Sequence, residues 1–395
     1  MRFTNVVKPT HRCNMACGYC YIDDDPGPLM SRDTLRAVIE RTFDYVSDLS
    51  SSAIVDFTWH GGEPLLAGVA FYRDAKRIQC ERNRGLRFVN SIQTNGTLLT
   101  EEWMDFVQQE DFRVSVSIDG PAALHDEARK APDGAGSYAL VHESVERLRR
   151  RGIFFGVCVV LARHTLPFVE DLYDFLAEEQ LPFNIVPFIR SGQGCSNYDL
   201  YGLTDREYAD GWIRMYDRWF YADDRHYVHA SDFVRKTRAV LTGWQSSCVG
   251  SPNCAQRTIS VNPAGDVFPC ASLTGMPDWK YGNLNERTLH ELFQSEPAQK
   301  ARARREDEHC ANCRWRTICY GGCMARAIKF YGNCDRRDYY CPSLARIYSH
   351  VERRIQEEPR LRQYQPGQQV GPAVANAAGT DGYSATKRRN SHANR

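Results

Sequence analysis

Residues 13–20 read Cys13-Asn14-Met15-Ala16-Cys17-Gly18-Tyr19-Cys20. Three thiols at CxxxCxxC spacing share one short loop, directly after an apolar run at residues 5–9. Three thiolates on a four-iron cubane leave one iron without a protein ligand, free to bind a small molecule. Structural metal sites are usually closed by four ligands. The loop therefore reads as a reactive centre placed where a strand ends.

Outward from the loop, apolar strand-like runs recur at residues 5–9, 54–59, 88–93, 113–118, 154–161 and 183–189. Amphipathic helical stretches fall between them, among them 31–49, 101–109, 139–151 and 166–179, and 204–220 reads as a sixth helix rich in aromatics. Ser31 with Thr34 marks the first helix start. Strands alternating with helices predict βαβ units and a parallel sheet. Six units predict an α/β partial barrel, open on one side, with its functional groups at the carboxyl ends of the strands. The second run ends in Trp59-His60-Gly61-Gly62-Glu63-Pro64 and the third in Gln93-Thr94-Asn95-Gly96. The fourth ends in Ser117-Ile118-Asp119-Gly120-Pro121, followed by His125-Asp126 and Arg129. Asn-Gly and Asp-Gly-Pro are strong turn formers. Two glycines also let a backbone approach a ligand closely. A carboxylate such as Glu63 can accept hydrogen bonds from an ammonium group, and Ser117 and Arg129 suit a carboxylate.

A chain of 395 residues, 42% hydrophobic, has room for two domains. A net charge of +1 argues against a nucleic-acid binder. Met1-Arg2-Phe3-Thr4-Asn5 opens no apolar signal region, and no run of 18 apolar residues follows. A cytoplasmic protein with no membrane span is expected, and its fifteen cysteines should then serve metals or catalysis rather than disulfides. Cys80 and Cys158 are expected to be small buried apolar residues. Cys195 lies in a polar loop, and Cys334 is a spare. The rest form a downstream set: Cys248, Cys254, Cys270, then Cys310-x₂-Cys313-x₅-Cys319-x₃-Cys323, and Cys341. Such spacings fit Zn²⁺ or Fe–S ligation and leave the two open. Residues 248 to about 345 show little periodicity, so metal is expected to hold them together. The expected division is 1–235 for the barrel, 236–350 for the cysteine-rich domain, and 351–395 for a helix end and a disordered tail.

The opening loop, with Tyr19 before its last cysteine, and Gly61-Gly62-Glu63-Pro64 together resemble the radical S-adenosylmethionine (SAM) superfamily. The downstream cysteines resemble the SPASM domain, in the form of anaerobic sulfatase-maturating enzymes and related maturases of ribosomal peptides. Residues 57–68, 91–97 and 281–284 carry the likeness further. The resemblance implies a partial (β/α)₆ TIM-like barrel followed by a SPASM domain, with three [4Fe–4S] clusters. Cys13, Cys17 and Cys20 would hold the cluster that binds SAM. Cys248, Cys254, Cys270 and Cys323 would close a first auxiliary cluster, and Cys310, Cys313, Cys319 and Cys341 a second. Gly61 and Gly62 would line the methionyl group and Glu63 hold its ammonium. Ser117 and Arg129 would hold the carboxylate and ribose, with Tyr19 part of the same cofactor site. It also implies an electron donor such as flavodoxin or ferredoxin, a precursor peptide as substrate, and a separate leader-binding protein or the SPASM region to hold that peptide.

One departure bears on the reaction. In sulfatase maturases an aspartate follows the cysteine matching Cys270 and takes the substrate's proton; here Ala271 stands there, and alanine is no base. His60 stands where that family has glutamine. The leading expectation is accordingly an oxidoreductase that abstracts hydrogen from a precursor peptide and forms a side-chain cross-link. The alternatives are a sulfatase maturase with a relocated base, making formylglycine from Cys or Ser; a peptide epimerase using Cys195; and a non-enzymatic Fe–S electron carrier. No catalytic residue is assigned firmly, and His60 and Cys195 are the candidates.

Overall fold

Parallel strands order the molecule. The computed structural model describes residues 1–22, 27–245, 247–252 and 254–358; the tail expected to be disordered lies outside the described residues. Strands β1 (Arg2–Thr10), β2 (Ile54–Gly61), β3 (Arg87–Thr94), β4 (Arg113–Ser117), β5 (Phe155–Leu161) and β6 (Phe183–Pro187) occupy the six apolar runs. Each pairs in parallel with its sequence neighbour. The sheet does not close, so the barrel is partial.

Strand alternation sorts side chains between two faces. In β2, Val55, Phe57 and Trp59 are buried, and Asp56, Thr58 and His60 alternate with them on the concave face. Phe57 packs on Phe43 and Trp59 on Tyr72, with ring centroids 5.4 and 5.2 Å apart. Phe43 belongs to the apolar stripe Leu35, Val38, Ile39, Phe43 and Val46 of the helix Arg32–Leu49, all buried. Ser31 caps that helix, its hydroxyl accepting the Thr34 N–H at 3.1 Å, a contact worth about 1 kcal/mol. Buried polar ties pin the helices: Asn5 donates to Thr42 at 2.8 Å, and Trp59 and Gln79 both donate to Asn90 at 2.9 Å.

The cysteine-rich region holds together by more than its thiols. Strand β7 (Thr258–Val261) pairs in parallel with β1, Thr4 opposite Thr258 and Val7 opposite Val261. Strands β8 (Asp266–Phe268) and β9 (Gly282–Asn283) follow antiparallel. One nine-stranded sheet, in the order β6-β5-β4-β3-β2-β1-β7-β8-β9, thus runs through both halves. The helix Cys341–Glu357 returns to the barrel helix Asp205–Phe220, where Asp217 takes His350 at 2.7 Å and Arg354 at 2.8 Å. Residues 235 and 236 lie inside the helix Ser231–Thr242, and residues 350 and 351 inside Cys341–Glu357. No helix among the described residues is long and apolar enough to cross a membrane.

Candidate active site and cluster sites

The chain leaving β1 forms the cysteine loop, and its backbone is held from below. Ala16 N–H donates to the Lys130 carbonyl at 2.7 Å and Gly18 N–H to that of Ala128 at 2.9 Å. Gly18 is required by a close approach: a Cβ there would lie 2.6 Å from the Tyr201 ring. Burial, then the neighbouring thiols and Glu63, push Cys13 up to about 12, although the Met15 N–H works the other way. Burial lifts Cys17 to about 11 against the pull of Arg129. Cys13, Cys17 and Cys20 are thus neighbours, and their thiolates would repel without a cation.

Gly61 and Gly62 serve the protein's own chain first. A Cβ on Gly61, at φ +123°, would lie 2.3 Å from the Thr10 carbonyl oxygen; one on Gly62 would lie 2.1 Å from that of Arg12. Gly62 N–H donates to Thr10 at 3.0 Å and Glu63 N–H to Arg12 at 2.8 Å, stitching the exits of β1 and β2 together. Glu63 is fully buried. Its oxygens accept the Leu65 N–H at 3.0 Å, the Thr94 hydroxyl at 2.8 Å and the Asn95 N–H at 2.8 Å. Burial still raises it to about 7, because these are dipoles and not charges.

Asp119, read from the sequence only as turn chemistry, is the hub of the next strand end. It accepts Arg129 Nε at 2.7 Å, the Val160 N–H at 2.8 Å and the Tyr19 hydroxyl. Burial opposes its charge, but Arg129, followed by His125 and Tyr19, outweighs it and holds the carboxyl below its ordinary range. Arg129 also lies 5.3 Å from the Tyr19 ring centre. The structure therefore places Asp119 and Arg129 beneath the cysteine loop, where they hold it through the loop's own Tyr19. Ser117 accepts Gln93 Nε2 at 3.1 Å on the concave rim. An aspartate followed ten residues later by an arginine was the available sequence signal for this pair.

The downstream thiols gather in two groups. Around Cys254, itself pushed up by burial, lie Cys248, Cys270 and Cys323. Around Cys319, lifted to about 12 by burial and then by Asp338, lie Cys341, Cys310 and Cys313, and these four line one cavity. Cys334 is buried outside both groups, its thiol toward Asp335 at 3.6 Å. Cys195 is exposed on the short helix Gln193–Ser196, whose Gly194 N–H meets the Cys20 carbonyl at 3.3 Å. Two expectations need correction. Cys80 is exposed near the end of the helix Val69–Arg82. Cys158 is half-buried on the concave face of β5, opposite Ser117 in register.

Residues 7–176 match the Radical SAM superfamily, and residues 248–314 match SPASM, an iron–sulfur cluster-binding domain. The chain carries a radical SAM domain followed by a SPASM domain. It is 26% identical over 368 residues to the cysteine-type anaerobic sulfatase-maturating enzyme of Clostridium perfringens, covering 89% of this chain and 96% of that one. Identity to the serine-type enzyme of Bacteroides thetaiotaomicron is also 26%, over 380 residues and 88% of each chain. The structure of native anSMEcpe with bound AdoMet and Cp18Cys peptide superposes with a TM-score of 0.80 at 25% identity, over 90% of this chain and 99% of that one.

The two domains imply [4Fe–4S] clusters and SAM as cofactors. The residues present fit them. In the three groups of thiols, of three, four and four members, burial raises the pKa of Cys13, Cys254 and Cys319 and the neighbouring sulfurs add to it, an effect that a bound cation reverses.

Where the radical SAM and SPASM domains meet, buried Lys8 reaches from β1 to donate to the Ala271 carbonyl at 3.2 Å. Its amine is 5.6 Å from the Tyr21 ring centre. His60 is held near pH 4 by burial and then by Lys8, so it is neutral at pH 7. Its Nδ1 accepts the Gly61 N–H at 2.7 Å, which leaves the ring proton on Nε2. His60 thus offers a donor rather than a base. The segment after Cys270 presents a methyl group where the resemblance leads one to expect a carboxylate.

Proposed function

We propose that this chain is a radical SAM enzyme that oxidises a side chain of a peptide or protein in the manner of the sulfatase maturases, converting Cys or Ser to formylglycine. The observation that carries this reading is likeness to both types of sulfatase-maturating enzyme across nearly the full length of each, through both domains. We assign Cys13, Cys17 and Cys20 to the SAM-binding cluster. Cys248, Cys254, Cys270 and Cys323 fall to the first auxiliary cluster, and Cys310, Cys313, Cys319 and Cys341 to the second. With the cluster reduced and SAM bound, the three thiols of the loop would hold a group whose chemistry is to supply a 5′-deoxyadenosyl radical. Glu63 keeps a buried carboxyl at the loop's edge, suited to the SAM ammonium. Asp119, Arg129 and Tyr19 hold the loop still, and Ser117 with Gln93 lines the rim. His60 Nε2–H and the Lys8 ammonium orient the substrate.

A second reading, an oxidative side-chain cross-link in a precursor peptide, is favoured by one observation. The residue after Cys270 is Ala271, whose methyl group cannot take a thiol or hydroxyl proton. Reconstituted protein, SAM and dithionite with a sulfatase-type peptide carrying Cys or Ser decide between the two. Formylglycine, trapped as a hydrazone, at a rate comparable to 5′-deoxyadenosine formation supports the maturase. SAM cleavage without it, together with a precursor-peptide product two hydrogens lighter, supports the cross-link and defeats the first reading.

A further inference from the structure

Tyr281 lies in the segment Tyr281-Gly282-Asn283-Leu284, beside the strand that delivers Cys270. Its N–H donates to the Val267 carbonyl of β8 at 2.8 Å, and three residues on, the chain reaches Cys270. The next residue pins the backbone. Gly282 has φ +137°, and a Cβ there would lie 2.5 Å from Leu292. The Tyr281 ring is 2% exposed and packs against Phe293 with centroids 6.1 Å apart. Its hydroxyl is fully buried and has no protein partner. A buried hydroxyl left unpaired costs about 1–3 kcal/mol, so such a group calls for an acceptor. The groups that face it are the Cys270 and Cys254 thiols and the Arg302 guanidinium. Burial raises the phenol most; the two thiols raise it further and Arg302 opposes them.

We propose that the Tyr281 hydroxyl donates a hydrogen bond to a sulfur of the first auxiliary cluster and makes that cluster the more easily reduced of the two auxiliary centres. A donor aimed at a cluster sulfur stabilises the form carrying the additional electron, and hydrogen bonds to the sulfurs are among the determinants of cluster potential. The surrounding charges have the same polarity. Arg304 faces Cys254, and Arg326 and Arg235 face Cys248. At the second site Asp307 and Glu306 face Cys310, and Asp338 faces Cys319, with Arg337 beside Cys341 and Arg304, shared with the first site, beside Cys310 as the opposing cations. A buried ion pair lies between the two sites: Arg326 Nε meets Asp338 Oδ1 at 2.8 Å, the cation toward Cys248 and Cys323, while the carboxylate faces Cys319 and its Oδ2 accepts the Cys323 N–H at 2.8 Å. An electron that leaves a substrate radical together with its proton would therefore rest on the first auxiliary cluster before the second.

The test is a redox titration of the anaerobically reconstituted full chain, followed by EPR, for wild type and Tyr281→Phe. The Cys13, Cys17 and Cys20 triple alanine background isolates the auxiliary signals. The expected result is about a tenfold fall in the reduced-to-oxidised ratio of one auxiliary cluster at fixed potential, about 59 mV for one electron. The other clusters keep their potentials and the iron content does not change. Identical potentials in both proteins, or all clusters shifting together, overturn the proposal. Pulsed EPR in deuterated buffer gives a second reading. Beyond the exchangeable amides that reach Cys270, wild type should show one further deuteron coupled to the reduced first auxiliary cluster that Tyr281→Phe lacks, and identical deuteron couplings in the two proteins, or an iron-free first site in wild type, overturn the proposal as well. None of these readouts involves the peptide, so they stand apart from the formylglycine assay.

Discussion

The rim of the barrel follows two different rules. Toward the cysteine loop, buried carboxylates have both oxygens engaged: Glu63 by Leu65, Thr94 and Asn95, and Asp119 by Arg129, Tyr19 and Val160. Where β1 and β2 meet the segment after Cys270, Lys8 reaches the Ala271 carbonyl and the Tyr21 ring, and His60 accepts the Gly61 N–H and packs edge-on against Tyr21. The first arrangement fixes a geometry that several residues determine at once. The second can change by one side chain without undoing a network. A rim held by several partners at once tolerates little change, while the surface beside it has room to vary.

The largest effect should come from emptying the well-determined side. Replacing Cys13, Cys17 and Cys20 together by Ala is expected to abolish SAM cleavage while about eight irons, two four-iron clusters, remain by iron assay. Retained 5′-deoxyadenosine formation would remove the loop from the active site.

Asp119→Ala should come next. It strands the buried Arg129 cation, and breaking a buried pair costs about 3–5 kcal/mol. A fall of that size in unfolding free energy is expected, with the loop loosened. A stability change below about 1 kcal/mol would show that Asp119 is not the hub.

Glu63 sharpens the comparison through pH. Burial lifts its pKa from an ordinary 4.5 to about 7, so the folded chain binds this proton more tightly than the unfolded chain does. Without SAM, the Glu63 contribution to stability is present below about pH 4.5, declines as the pH rises to about 7 and is gone above it, about 3 kcal/mol in all. The SAM ammonium favours the ionised carboxyl, so SAM affinity should rise with pH through that range. Glu63→Gln should flatten both curves and weaken SAM binding by about 1.5–3 kcal/mol. Parallel pH profiles for the two proteins would assign the titration elsewhere.

The smallest disturbance should follow Ala271→Asp. A carboxylate placed beside Lys8 should leave SAM affinity and melting temperature nearly unchanged, and increase formylglycine yield from the sulfatase peptide. A collapse of SAM cleavage would show that the two sides of the rim are coupled.

The six barrel strands were legible because strands of a parallel sheet read as continuous apolar runs between helices. Strands β7 to β9 were not, at two to four residues each, too short to set a period; their pairing depends on a β1 edge more than two hundred residues away. The thiol groups could be read from spacing and resemblance. What spacing cannot carry is burial: Cys80 sits on a helix but faces out, and Cys158 sits in a strand but faces the concave side. The two glycines were legible as a close approach, though their first neighbours are Thr10 and Arg12. Asp119 looked like a turn residue because its partners lie ten, forty-one and a hundred residues away.

The pairing of β7 with β1 sets a timetable for the nascent chain. The first strand made is not an edge in the finished sheet, yet its outer side must wait for residues 258–261 to leave the ribosome. At about 5–20 residues per second that wait lasts about ten seconds or more. Through that interval the barrel carries an unpaired edge, the kind of surface that recruits foreign strands. A fragment ending before Thr258 would never lose it, so an isolated barrel cut from this chain should aggregate where the whole chain does not.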